Sequence, residues 1–119
     1  LCLFDVATGV VYTLPTPVEG MKFEFLATVA VTSNAYKVIT ADITTQFLLG
    51  AVNSTKLAAG TDIFQADGTA NHVAISSAGS TTGGLIGSAF TVTAISTTQW
   101  VISGSIVGSG TLATPFAAS

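Results

Sequence analysis

The sequence predicts an all-β chain, an antiparallel β-sandwich or jelly-roll-like barrel of about eight to nine short strands with an extended C-terminal arm. Three observations predict it. Apolar and polar residues alternate with period two along short runs, as in half-buried strands. Turn-forming residues interrupt those runs. The runs are rich in Val, Ile, Thr and aromatic side chains, which suit a pleated surface. At 119 residues the chain has the length of one domain, read as a β domain over 1–108 followed by an arm over 109–119.

Cys2 to Val6 is the first strand, closed by "ATG" at Ala7 to Gly9, and Val10 to Leu14 is the second. "PTPVEG" at Pro15 to Gly20 removes two backbone donors, so it belongs to a crossover or an edge. In "MKFEFLATV" the residues Met21, Phe23, Phe25, Ala27 and Val29 share one face, against Lys22, Glu24 and Thr28, with Leu26 the exception. After the turn at Thr32 to Asn34, "AYKVIT" sets Tyr36 and Val38 opposite Lys37 and Ile39. Phe47 to Val52, Thr61 to Ala66 and His72 to Ser76 are further strands. A short helix is expected between the first two of these, over Ser54 to Gly60. Beyond the turn of Ser77 to Gly84, "AFTVTAIS" sets Phe90, Val92 and Ala94 against Thr91 and Thr93. "QWVISGSIV" then sets Trp100, Ile102 and Ile106 against Val101, Ser103, Ser105 and Val107. Gly9, Gly68 and Gly110 stand where turns need positive φ. Phe23, Phe25, Phe90 and Trp100 are the expected core anchors.

Charged residues make up 8% of the chain, against about 25% in an average domain. There is no arginine, and Lys22, Lys37 and Lys56 are scattered. A nucleic-acid partner is therefore not expected, because displacing counterions from phosphates takes clustered cations. From Gly68 to Ser119 there is no Asp, Glu, Lys or Arg. Isolated monomers usually keep a mixed charged surface, so much of this half is expected to be covered, most simply by other copies or a larger partner. Apolar runs are broken by Gly, Ser and Thr well before the roughly 18 residues that a membrane helix needs. The opening "LCLFDVATG" reads as mid-strand, without an initiating Met or a basic leader, so residues upstream are expected.

Candidates for chemistry are few. Cys2 is alone, which excludes an intrachain disulfide and fits a small buried apolar residue. Asp62, Asp67 and His72 hold no recognised ligand spacing, and Asp67-Gly68 reads better as a hairpin turn. A serine nucleophile lacks the G-x-S-x-G elbow, and "GGLIG" at Gly83 to Gly87 lacks the Lys and helix of a phosphate loop. The sequon Asn53 to Thr55 is discounted without a leader, and Glu19 and Glu24 make no catalytic pair. No catalytic residue, metal or cofactor is expected. Phe116 follows Gly110 and Pro115 past the last strand, so Leu112, Pro115 and Phe116 are expected to form an arm that either folds back on its own domain or docks on a neighbour, and its lack of charge favours the neighbour. Deleting Leu112 to Ser119 is then expected to weaken assembly and leave the monomer folded.

The chain resembles small virion structural proteins of tailed bacteriophages, of the capsid decoration (cement) type. The resemblance rests on "LCLFDVATG", "TLPTPVEGMKFEFL", "TSNAY", the Gly-Gly turn and the ending "QWVISGSIVGSGTLATPF", which together span most of the sequence. It departs from the group in the charge-free "TAISTTQW". The resemblance implies a β-sandwich or jelly-roll-like protein on the capsid exterior, bound to the major capsid protein across capsomer joints. It implies a homotrimer at local three-fold positions and stabilisation of the head without chemistry. The alternatives are a receptor- or glycan-binding module of a fibre or tail, and an outer-membrane barrel. The first would want exposed aromatics with Asp, Asn or Arg on loops. The second would want strands of about 9–11 residues with aromatic girdles.

Overall fold

In the computed structural model, residues 1–56 and 60–119 are described. Among them there is no helix, and ten strands form two sheets. The strands are β1 (Cys2–Phe4), β2 (Val10–Thr13), β3 (Lys22–Ala27), β4 (Tyr36–Ile39), β5 (Phe47–Lys56), β6 (Thr61–Asp67), β7 (Ala74–Ser77), β8 (Ala89–Ala94), β9 (Gln99–Gly108) and β10 (Phe116–Ala117). The large sheet has the order β1-β3-β8-β9-β5-β6 and the small one β10-β7-β4-β2.

Period-two patterning places each strand's apolar set on the shared core. Phe25, Ala27, Val92, Ala94, Trp100, Ile102, Ile106, Leu48 and Val52 of the large sheet are buried, and so are Tyr36, Val38 and Ile75 of the small one. At one side of the core the rings of Phe4 and Tyr36 stack across the layers with centroids 4.6 Å apart, and Phe25 stacks on Phe90 at 5.2 Å. Such pairs add about 0.5–1.5 kcal/mol each beyond their buried area. The Tyr12 hydroxyl donates to the Leu3 carbonyl at 2.8 Å, tying the edge of the small sheet to the edge of the large one.

Four expectations need correction. The sheets are mixed, since β1 pairs parallel to β3, β2 to β4, and β5 to β9. The chain passes between layers after most strands, and a strand that returns after such an excursion can arrive in the same direction as its neighbour. Alternation fixes a residue's face and says nothing of its partner strand. The helix expected from Ser54 does not begin, because Ser54, Thr55 and Lys56 finish β5, held on both sides by β6 and β9; residues 57–59 lie outside the described residues. The strand count is ten, one more than the longest expectation. The extra strand is the expected arm: Phe116 pairs with Ile75 and Ala117 with Ala74, antiparallel.

Gly50 and Gly104 lie inside the two longest strands with φ of 117° and 149°. A Cβ at Gly50 would run into the Ile102 carbonyl, and one at Gly104 into the Ala89 carbonyl and Phe90. Glycine lets β5, β8 and β9 approach this closely.

Candidate interaction surface

The face of the large sheet turned away from the core is the broadest feature the fold presents. Strand register sets its rows. Lys22, Thr93, Val101, Leu49 and Asp67 form one row, and Glu24, Thr91, Ser103, Ala51 and Gln65 the next. A third runs from Leu3 through Leu26, Ala89, Ser105 and Asn53 to Ile63. Charge is confined to the flanking strands, and β8, β9 and β5 carry none on this face. Lys22 and Glu24 are neighbours along β3 with 3.9 Å between Nζ and Oε1, both more than half exposed, a pairing that adds little stability. Beside them lies an open groove of about 370 Å³, lined by Leu1, Glu24, Leu26, Ala89, Thr91 and Ser103. Phe25, Phe90 and Gly104 line it as well.

The core anchors lie on the opposite face. Trp100 is 0% exposed, Phe25 and Phe90 are buried, and Phe23 is half-buried with its ring 5.9 Å from Trp100. Leu112, Pro115 and Phe116 are all buried against their own domain, which corrects the expectation that they dock on a neighbour. Main-chain bonds fasten this segment. Ser109 N–H donates to Ser80 O at 2.9 Å, Ala113 N–H to Thr81 O at 2.9 Å and Ser76 N–H to Pro115 O at 2.8 Å. An apolar residue beyond the last long strand had a pocket at hand, because β7 offered an unpaired edge beside it.

The polar trio does not assemble. Asp62 and Asp67 stand at opposite ends of β6, about 17 Å apart at ~3.4 Å per residue. Asp67 and His72 do meet, with 2.8 Å between Oδ1 and Nδ1. The Asp67 N–H also points at Nδ1, at 3.0 Å. One ring nitrogen cannot donate to the first and accept from the second together, and the carboxylate favours a protonated Nδ1 that donates to it. The same Oδ1 accepts the Thr69 hydroxyl at 2.7 Å and the Thr69 N–H at 3.1 Å. The Thr69 hydroxyl chiefly holds the Asp67 carboxyl below its usual range, with His72 adding to it. Asp42 repeats the device, taking the Thr44 hydroxyl at 2.6 Å and N–H at 2.9 Å, with its pKa lowered by those bonds. Two Asp-x-Thr turns of this kind are loop locks. The ring of His72 rests edge-on against Phe116, with centroids 5.8 Å apart.

Among the described residues, no group of three or more His, Cys, Asp or Glu is placed to hold a metal, and no helix is long and apolar enough to cross a membrane. Within Gly83 to Gly87, Gly83 takes part in a tight turn, donating to Ser80 O at 3.2 Å and accepting from Gly79 N–H at 2.7 Å. Cys2 is free and half-buried on β1. Sequence reading passed over Ile63, which is 68% exposed on the edge strand β6; the signal was an Ile at a polar-face position, as at Leu26. No protein-family model, curated protein or solved structure matches the chain.

Proposed function

We propose that this chain is a non-enzymatic virion structural protein, a capsid decoration (cement) protein. It binds the major capsid protein across capsomer joints on the head exterior and stabilises the shell by buried contact. The observation that carries this reading is the outer face of the large sheet. It is broad, built across β8, β9 and β5 of Thr, Ser, Ala, Val, Leu and Asn, and free of charge there. Docking such a face buries no ions, and its short hydroxyl side chains can exchange water for hydrogen bonds to the partner, since a hydroxyl buried without one costs about 1–3 kcal/mol. Many copies on one shell would make individually weak contacts strong together. Clustering as trimers at local three-fold positions, formed on the shell itself, belongs to the same reading. The finer architecture we read as a two-layer β-sandwich; three parallel ladders set it apart from an antiparallel jelly roll.

The test is co-sedimentation with purified heads of the virus that encodes the chain, stripped of their own surface proteins. Wild-type chain is expected to pellet with the heads at a fixed stoichiometry. Thr91→Arg and Ser103→Arg, both on the outer face, are expected to stay in the supernatant while keeping the wild-type melting curve. A chain that never pellets, or variants that pellet as wild type does, would sink the reading of this face.

A further inference from the structure

Four strands stand at sheet edges, and three of them are short: β1 has three residues, β10 two and β2 four. The fourth, β6, runs seven residues in unbroken register with β5. It has no bulge, proline or lysine, and of the devices that keep an edge from pairing it carries only its two carboxylates, Asp62 toward the Thr61 end and Asp67 at the other end. Its outward-pointing groups follow from the hydrogen-bond phase of the hairpin. Lys56 N–H donates to Gly60 O and Gly68 N–H to Leu48 O, so Gly60 and Gly68 face β5, and with them every even-numbered residue between. The N–H and C=O of Thr61, Ile63 and Gln65 therefore point away from β5, as does the Asp67 N–H that meets His72. Among the described residues no backbone hydrogen bond joins Thr61, Ile63 or Gln65 to anything on that side.

We propose that β6 pairs with β6 of a second copy, antiparallel about a two-fold axis at Ile63. In that register Ile63 faces Ile63 of the other copy and Thr61 faces its Gln65. Each of these pairs exchanges two main-chain bonds, so every outward group of Thr61, Ile63 and Gln65 is satisfied. The pairing is self-complementary in side chains too. The two exposed Ile63 side chains cover one another, and Asp62 lies opposite Phe64 with no carboxylate directly facing another. The two Asp62 residues become diagonal neighbours, about 7–8 Å apart, so their repulsion weakens the contact without preventing it. An axis normal to the sheet leaves both charge-free outer faces on the same side. The inference stands on the edge alone and does not depend on the capsid reading.

The experiment is native mass over rising protein concentration. Wild type is expected to shift from the 11.9 kDa of one chain to twice that mass, and Asp62→Asn to do so at lower concentration. Ile63→Pro removes an N–H that β5 does not use, so it is expected to stay at one chain's mass with the wild-type strand content by circular dichroism. If Ile63→Pro fails to fold, Gln65→Pro blocks the same edge by the same logic. A wild type that remains single at every concentration, a trimer, or a doubled mass that survives the proline overturns the proposal.

Discussion

Trp100 is the largest fully buried side chain, and its indole N–H finds no hydrogen-bond partner among the described residues. Its contribution is therefore packing, and Trp100→Ala is expected to destabilise the chain by about 3–5 kcal/mol. Trp100→Phe keeps an aromatic ring and drops an unpartnered donor, so it should cost less. Native fluorescence should be blue-shifted and redden on unfolding in one transition; a native spectrum as red as the unfolded one would contradict this burial. At Gly104 a single added methyl meets β8 backbone. Gly104→Ala is thus expected to lower the melting temperature more than an alanine at exposed Ser103, measured side by side. Asp67 and Asp42 have pKa values lowered by their Thr partners. Groups lowered on folding stabilise above the unfolded carboxylate pKa of about 3.9 and lose that effect as pH falls through the folded value. The melting temperature should stay level from neutral pH down to about 5 and fall below about 4. Asp67→Asn should flatten part of that acid limb, and an unchanged acid limb would show that Asp67 does not contribute to it.

Among the elements, the C-terminal strand reverses an expectation. Because Leu112, Pro115 and Phe116 are buried in their own domain, removing Leu112 to Ser119 should damage the fold itself. It strips β7 of its partner and uncovers the socket that Phe116 fills. Phe116→Ala alone is expected to cost about 3–5 kcal/mol, read by chemical denaturation, and the truncated chain should bind a hydrophobic dye. A truncation with wild-type stability would restore the free-arm view. All nine expected strands are present, because alternation is a local property that each run carries by itself. The tenth was illegible: "FA" is too short to alternate, and only the nearby edge of β7 makes it a strand.

As a whole molecule, the chain closes its core without help. Its accessible surface of 5507 Å² is no larger than the roughly 5,900 Å² expected of a monomer of this mass. Assembly would therefore add contacts to a finished fold. A standard interface covers about 800 Å² per partner, within reach of the outer face of the large sheet. Two surfaces with different geometry follow, a broad face for a shell and the β6 edge for a second copy, and they separate experimentally. Arginine on Thr91 or Ser103 should abolish head binding and leave native mass unchanged, whereas Ile63→Pro should change native mass. Loss of both activities with either variant would mean that one surface serves both partners.

The sequence by itself determined the all-β class, nine of the ten strands, their inward faces and the concentration of charge in its first half. Each of these is written in local spacing, and a buried face enforces it residue by residue. Only the tertiary structure decided which strands are neighbours, which ladders are parallel, where Phe116 is buried and which edge stays open. Those depend on contacts between segments far apart in sequence, such as β5 with β9 and β7 with β10. Alternation records which side a residue faces, and it carries no record of the strand that will lie beside it.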